Sequence, residues 1–179
     1  MTLLRSAVTV IVGLVALAEA ASADQLRFTA TLSGAQEVTR TLPGATPGGV
    51  QTLTSGRIEL VFDEGLASAQ VKLEVYNGVG VIAAHLCCGR AGTNGTVVVP
   101  LLRAGGGVNV DGVLVSGILT NDSIGGPQTR IRADCGQYIG IPVDNMASLA
   151  FAARSGLIYV NVLTTANPAG EVRGQLLEQ

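Results

Sequence analysis

The chain has 179 residues, enough for one domain of ordinary size and too few for two. Apolar residues make up 47% of the chain, aromatic residues only 3%, and 24 residues are glycine, a composition typical of short aliphatic strands joined by glycine turns. The formal net charge of −2, with 13% charged residues, leaves no basic stripe. The sequence therefore excludes nucleic acid and an anionic membrane surface as partners.

Residues 1–23 show the three parts of a secretory signal peptide. Arg5 supplies a positive charge, an uncharged apolar run follows, and residues 21–23 form an A-x-A cleavage site. Glu19 ends the apolar run after about a dozen residues, too few to cross a hydrocarbon core of about 30 Å. We therefore expect export to a secreted or periplasmic location, and a mature domain, residues 24–179, without a membrane span.

The first two thirds of the mature domain show the alternation of apolar and polar residues that is typical of β-strands. Asn77-Gly78 is a turn signal within this region, and Gly105-Gly106-Gly107 is interpreted as a linker. Residues 43–49, rich in proline and glycine, are predicted to form a loop. The predicted strands are residues 26–32, 56–62, 69–76, 81–87, 96–102 and 112–120.

Residues 121–142 contain several glycines and prolines without a sustained periodicity, which indicates a loop. Beyond it, residues 144–155 are rich in helix-forming residues, with Asp144 as a candidate N-cap and Gly156 as the stop signal. The sequence therefore predicts one short helix in this part of the chain.

The end of the chain has the pattern of a β-hairpin. Residues 159–163 and 171–176 alternate apolar and polar side chains, and Asn167-Pro168-Ala169-Gly170 forms the turn between them. The alternation predicts that Glu171 and Arg173 face outward and pair with cross-strand partners. With about eight strands and one short helix, the mature domain is predicted to be all-β, an antiparallel two-sheet β-sandwich.

Three cysteines lie in the predicted mature domain, at Cys87, Cys88 and Cys135. An oxidising compartment favours pairing, and one cysteine must be left over. A bridge between the adjacent Cys87 and Cys88 would be strained, because neighbouring Cα atoms are only about 3.8 Å apart. Cys135 is therefore expected to pair with one of these two. Either bridge closes a loop of about fifty residues, which on the chain-entropy model stabilises the folded state by about 4 kcal/mol.

Four segments of the chain carry a family resemblance. They are FTATLSGAQEV at 28–38, AAHLCCGRAGTNG at 83–95, GVLVSGIL at 112–119 and YVNVLTTANPAGEVRGQL at 159–176. These segments resemble the CHRD domain, which was first described in chordin and is common in secreted bacterial proteins. The resemblance covers nearly the whole mature chain. It implies an all-β sandwich in the style of the immunoglobulin-like and copper-zinc superoxide dismutase Greek-key folds, with a largely uncharacterised function.

The family usually carries three histidines, two in an H-x-H motif and one in the terminal strand. Here these positions hold His85, Cys87 and Leu163. Side chains two residues apart on a strand lie on the same face, so an H-x-H motif offers two imidazoles to one metal ion. Because Leu163 cannot bind a metal, the resemblance implies at most a degenerate copper site formed by His85 and Cys87.

The resemblance also bears on the cysteines. Cys88 aligns with the family's own cysteine, which implies a disulfide between Cys88 and Cys135. Cys87 is then a free thiol at a former ligand position. A lone thiol of this kind is more often an inert small apolar residue than a reactive group, because reactivity requires a lowered pKa.

No Ser-His-Asp order, no paired carboxylates of a plausible cleft and no phosphate-binding glycine motif occur in the sequence. We therefore expect an exported protein of binding or structural character, without a catalytic centre, that meets an unknown protein or extracellular ligand. The alternative is a copper-binding or superoxide-dismutase-like protein that uses His85 and Cys87. Two sequons, at Asn94 and Asn121, lie in predicted turns and matter only in a host that glycosylates.

Overall fold

The computed structural model of the protein describes residues 25–39, 48–125, 135–140 and 142–179. The predicted signal peptide and most of the predicted loop at 43–49 lie outside these residues. The strands are β1 (Arg27–Ser33), β2 (Ser55–Phe62), β3 (Ser68–Cys88), β4 (Thr96–Thr120), β5 (Ile158–Thr164), β6 (Val172–Gln175) and β7 (Leu177–Glu178). The helices are α1 (Gly136–Ile139) and α2 (Met146–Arg154), and short 3-10 turns occupy Gly34–Gln36 and Asn121–Ser123.

All seven strands belong to one antiparallel sheet rather than to two. Its order is β2-β1-β6-β5-β3-β4, with β7 paired to β1, and an additional pairing of β2 with β3 closes five of the strands into a small barrel. The all-β prediction is confirmed, but a clear two-sheet sandwich is not what forms. The reason is the length of β3, which pairs with β2 over residues 69–76 and with β5 over residues 81–88. This one strand therefore connects β2 and β5, which would otherwise belong to two separate sheets.

The predicted turn at Asn77-Gly78 does not reverse the chain. Asn77 and Gly80 take positive φ angles of 53° and 63°, and the pairing with β4 shifts register on both sides of Gly78. Such irregularities are β-bulges, which bend a strand without ending it. The two strands predicted at 69–76 and 81–87 are therefore one. In the same way Gly105-Gly106-Gly107, interpreted as a linker, lies inside β4, which joins the strands predicted at 96–102 and 112–120. These two mergers and the unpredicted short strand β7 give seven strands in the described residues instead of about eight.

Alternation along the strands sends one set of side chains into a continuous apolar core. Within it, the rings of Phe28 and Phe62 meet edge to face, with centroids 5.9 Å apart. Helix α2 lies near the predicted position and buries Met146 and Leu149 among its apolar residues. Its N-cap is Asn145 rather than Asp144, because the Asn145 side chain accepts a hydrogen bond of 2.8 Å from the Ser148 backbone N–H.

A disulfide joins Cys88, the last residue of β3, to Cys135 just before α1, with Cα atoms 5.7 Å apart. This is the pairing that the family resemblance implies. Cys87 points to the opposite face of the strand and is a buried free thiol. In the part of the chain that the structure describes, no helix combines the length and apolar character needed to cross a membrane.

Candidate functional site

The outer face of the closed sheet, opposite the core, carries a group of buried polar side chains where β3, β5 and β6 lie side by side. Cys87 pairs with Tyr159, and Asn161 pairs with Arg173, so alternate residues of the three strands share this face. Glu37, from the segment after β1, lies over them. We call this set the outer-face cluster; it consists of Glu37, Cys87, Tyr159, Asn161 and Arg173.

Arg173 is the centre of the outer-face cluster. The alternation places this residue on the outward face, opposite the core, yet it is not exposed there, since only 2% of its surface is accessible. The guanidinium lies over the Tyr159 ring, with its carbon 3.4 Å from the ring centroid, and donates hydrogen bonds to Asn94 Oδ1 at 3.2 Å and to the Arg90 carbonyl at 3.0 Å. Burial lowers the pKa of the guanidinium from its ordinary value, but an arginine stays charged at physiological pH.

The loop between β3 and β4, residues 89–95, covers the cluster and is held there by hydrogen bonds. The Gly95 N–H donates to the Tyr159 hydroxyl at 3.0 Å, and Asn94 Nδ2 donates to the Val38 carbonyl at 2.8 Å. Gly95 has no space for a side chain, because a Cβ would lie 1.5 Å from the Cys88 carbonyl oxygen. Both polar atoms of the Asn94 amide are therefore engaged in the fold, although Asn94 is the acceptor of a sequon.

Glu37 is the most unusual member of the cluster. It is 5% exposed, and its Oε1 has no hydrogen-bond partner among the described residues. Burial raises the pKa of this carboxyl to about 7, and the opposing effects of Arg173 and the Val38 backbone N–H do not offset the burial. Two further buried oxygens nearby, Asn161 Oδ1 and Gln175 Oε1, also lack a partner within the described chain. Buried polar atoms are usually satisfied, so this group calls for an explanation.

Gly170 allows Glu37 and Asn161 to approach each other. Its φ angle of 145° is unfavourable for other residues, and a Cβ at this position would lie 2.6 Å from Glu37 Oε2 and 2.8 Å from the Asn161 amide nitrogen and oxygen. The glycine of the A-G-E-V motif is therefore required both for the turn and for the space that the two polar side chains occupy.

Glu171, next in the chain, has a separate and structural role. It too was predicted to face outward, and it is nevertheless buried. Its Oε1 accepts hydrogen bonds from the hydroxyls of Thr52 at 2.6 Å and Thr54 at 2.9 Å, and its Oε2 accepts from the Thr164 hydroxyl and from Asn167 Nδ2. Burial alone would raise the pKa of Glu171, but these four hydrogen bonds lower it to about 2. The carboxylate thus fastens the terminal hairpin turn to the segment before β2.

The three positions that the family fills with histidine lie close together, but they do not form a ligand set here. His85 is half-buried, and burial together with the charge of Arg103 lowers its pKa. Cys87 is 4% exposed, and burial raises the pKa of its thiol to about 11, which keeps it protonated. Leu163 pairs with Ala83 on the neighbouring strand. Across the described ranges, no three His, Cys, Asp or Glu side chains are grouped so that they could hold a metal ion.

A cavity of about 250 Å³ opens beside the outer-face cluster, between the Gly34–Gln36 turn, loop 89–95 and β6. Glu37, Arg173 and Gln175 line it, together with the small exposed residues Ala91 and Gly92. Sequence reasoning did not select these residues as a site. The only sequence signal for them is that Glu37, Arg173 and Gln175 lie in segments that carry the family resemblance.

The fold and the site together define a disulfide-bonded all-β domain whose most constrained polar residues are buried beside a small cavity. The sequence model of the CHRD domain matches residues 28–176, and the chain belongs to this family. No curated protein and no solved structure matches the chain. The CHRD domain is a domain of extracellular type, which suggests a binding or structural role.

Proposed function

We propose that this protein is an exported CHRD-domain protein of binding character, without a catalytic centre, and that it binds its ligand in the cavity beside the outer-face cluster. The observation that carries the proposal is Glu37, a residue of the cavity lining whose carboxyl group is buried, with no partner for Oε1 among the described residues. The disulfide between Cys88 and Cys135 supports export, because such bridges persist in oxidising compartments.

A buried carboxylate without a partner costs stability, so the fold alone gives no reason for Glu37. Burial with a strongly shifted pKa is more common at functional sites than elsewhere. A ligand that donates hydrogen bonds to Glu37 would recover this energy on binding. The cavity therefore has the property expected of a site that is prepared for a ligand.

The same cluster offers little for catalysis. Burial raises the pKa of Cys87 to about 11 and that of Tyr159 to about 12, so both groups keep their protons at neutral pH. Neither is prepared to act as a nucleophile or a base. Tyr159 accepts a hydrogen bond from the covering loop and supports the guanidinium of Arg173, which are structural tasks.

Two experiments test the proposal. Fractionation of the producing cells should recover a chain without residues 1–23 outside the cytoplasm. In the second experiment, the labelled mature chain is incubated with intact producing cells and with their isolated envelope. Wild-type protein should be retained, and Ala91→Trp, which fills the mouth of the cavity from an exposed position, should be released.

The matched control is Ala67→Trp, an equally large change at an exposed turn residue outside the cavity lining. It should be retained like the wild type. Equal retention of all three proteins, or retention of none, would contradict the proposed binding site. Recovery of the chain only from the cytoplasm would contradict export.

A further inference from the structure

The cavity beside the outer-face cluster offers hydrogen-bond acceptors and donors together. Glu37 Oε1 and Gln175 Oε1 are acceptors without a partner within the described chain, and both residues line the cavity. Arg173, in the same lining, carries five N–H donors and makes two hydrogen bonds to described residues. These oxygens and the guanidinium have almost no exposed surface in the unbound protein, so a ligand that pairs with them must displace part of the cavity wall. It must then donate to the two oxygens and accept from the guanidinium.

The charges in the lining exclude simple ions. A cation at the Glu37 carboxylate would lie near the buried guanidinium of Arg173, which repels it. Above pH 7, where the Glu37 carboxyl is ionised, an anion at Arg173 would meet its negative charge in the same small space. An uncharged ligand avoids both repulsions.

Hydroxyl groups have the required chemistry, since each one donates one hydrogen bond and accepts others. The lining also includes the alkyl groups of Ala35, Val38 and Ala91, against which a carbon skeleton can pack. The volume of about 250 Å³ is below the range of drug-sized pockets, roughly 300–1,000 Å³, so the cavity suits a single ring better than a long chain.

We propose that the cavity binds a neutral polyhydroxylated ring, that is, one sugar unit of a saccharide, through Glu37, Gln175 and Arg173. This inference rests on the proposed function and adds the class of ligand. A ligand with so few atoms, bound in an open cavity, should have a dissociation constant on the order of 1 mM.

The test is a titration of the isotope-labelled mature protein followed by NMR, with the side-chain amide signals of Gln175 and Asn161 as reporters. The probes are D-glucose, D-galactose, D-mannose and N-acetyl-D-glucosamine, added one at a time. At least one of them should shift these signals in a saturable manner. Ala91→Trp should abolish the shifts and Ala67→Trp should preserve them.

Substitutions at Glu37 refine the test. Glu37→Gln keeps one acceptor oxygen and should weaken binding of the active sugar less than Glu37→Leu, for which we expect roughly a tenfold loss or more. Equal affinity of wild type and Glu37→Leu would overturn the assignment of Glu37 as an acceptor of ligand hydroxyls.

Three other probes define the outcomes that overturn the ligand class. Saturable shifts of the same signals with calcium chloride, sodium acetate or glycine, and none with the sugars, would assign a cation, an anion or a zwitterion instead. The absence of saturable shifts with all sugars would also overturn the inference. If envelope retention still depends on Ala91 in that case, only the ligand class is wrong; if retention is absent as well, the proposed function fails.

Discussion

The guanidinium carbon of Arg173 lies 3.4 Å from the centroid of the Tyr159 ring, although the two residues are not directly opposite each other on their strands. Arg173 is opposite Asn161, and Tyr159 is opposite Gln175. The arginine therefore leans diagonally across the hairpin, which places its N–H groups beneath loop 89–95. This diagonal contact connects the terminal hairpin to the loop that covers it.

Replacement of Arg173 by leucine should destabilise the fold markedly. The change removes the cation–π contact and leaves Asn94 Oδ1 and the Arg90 carbonyl without their donor. We expect a loss of about 2–4 kcal/mol in the free energy of unfolding, measured by urea titration. The control is Arg27→Ala, which removes an exposed ion pair with Glu59 and should cost about 0–1 kcal/mol. Equal losses for both variants would contradict a structural role of the diagonal contact.

The stabilisation that Glu171 provides should be lost over a defined acidic range. Its folded-state pKa of about 2 lies below the ordinary value of 4.5, so its contribution is complete above pH 4.5 and disappears as the pH falls towards 2. A shift of this size corresponds to about 3 kcal/mol. Glu171→Gln should therefore be less stable than wild type at pH 7, and the two proteins should converge near pH 2.

A substitution at Thr52 tests the same interaction on a smaller scale, because its hydroxyl is one of four hydrogen-bond donors to Glu171. Thr52→Val should lower stability at pH 7 by about 1 kcal/mol, a fraction of the effect of Glu171→Gln. Denaturant titrations at a series of pH values measure both effects. A constant difference between wild type and Glu171→Gln from pH 7 to pH 2 would show that the carboxylate charge is not involved.

Gly170→Ala should be poorly tolerated. The φ angle of 145° is strained for alanine, and the new Cβ would collide with Glu37 Oε2 and the Asn161 amide. We expect Gly170→Ala to lower the free energy of unfolding by about 2–3 kcal/mol. The thermal unfolding midpoint and the enthalpy of unfolding measure this loss. Gly117→Ala is the matched control, because Gly117 is exposed on β4 with no atom within 4 Å of its Cβ position. A similar loss at both glycines would contradict the steric argument.

Cys87 should be unreactive in the folded protein. Its thiol is buried and protonated, so a thiol reagent should detect none in the native state, one after unfolding and three after unfolding with reduction. For the same reason we expect no tight copper binding. One-to-one copper binding that is lost in His85→Ala, with Cys87 protected from the reagent, would instead favour the alternative copper-binding function.

The sequence predicts some parts of this fold well. Clean alternation in β1 and in the terminal hairpin identifies strands whose ends the structure confirms within a few residues. The Asn77-Gly78 signal is misleading, because a positive φ angle produces a bulge as readily as a reversal, and only the partner strand decides between them. Closure of the sheet depends on the resulting length of β3, which local patterns do not reveal.

The candidate site was less predictable. Alternation correctly assigns Arg173 to the face opposite the core, but its burial depends on loop 89–95, which is distant in sequence. Glu37 likewise becomes buried only because the segment after β1 folds over the sheet. Because histidine is a common metal ligand, the sequence marks His85 as a candidate site residue. The residues that line the cavity are ordinary surface residues by type, so their identity does not mark them as a site.

The central claim is that Glu37 is present for binding rather than for stability. Its folded-state pKa of about 7 lies above the ordinary value of 4.5, so protonation favours the fold below pH 4.5 and this contribution is lost as the pH rises through 7. Glu37→Gln removes the buried charge and should therefore unfold with a higher free energy than wild type at pH 8, by up to about 3 kcal/mol.

The free energy of unfolding of wild type and Glu37→Gln at pH 8, together with envelope retention of the same two proteins, tests this claim most directly. Glu37→Gln should be more stable than wild type and should be retained less well, the exchange of stability for function that is known from binding sites. A variant that is less stable than wild type, or one that is retained equally well, would contradict it.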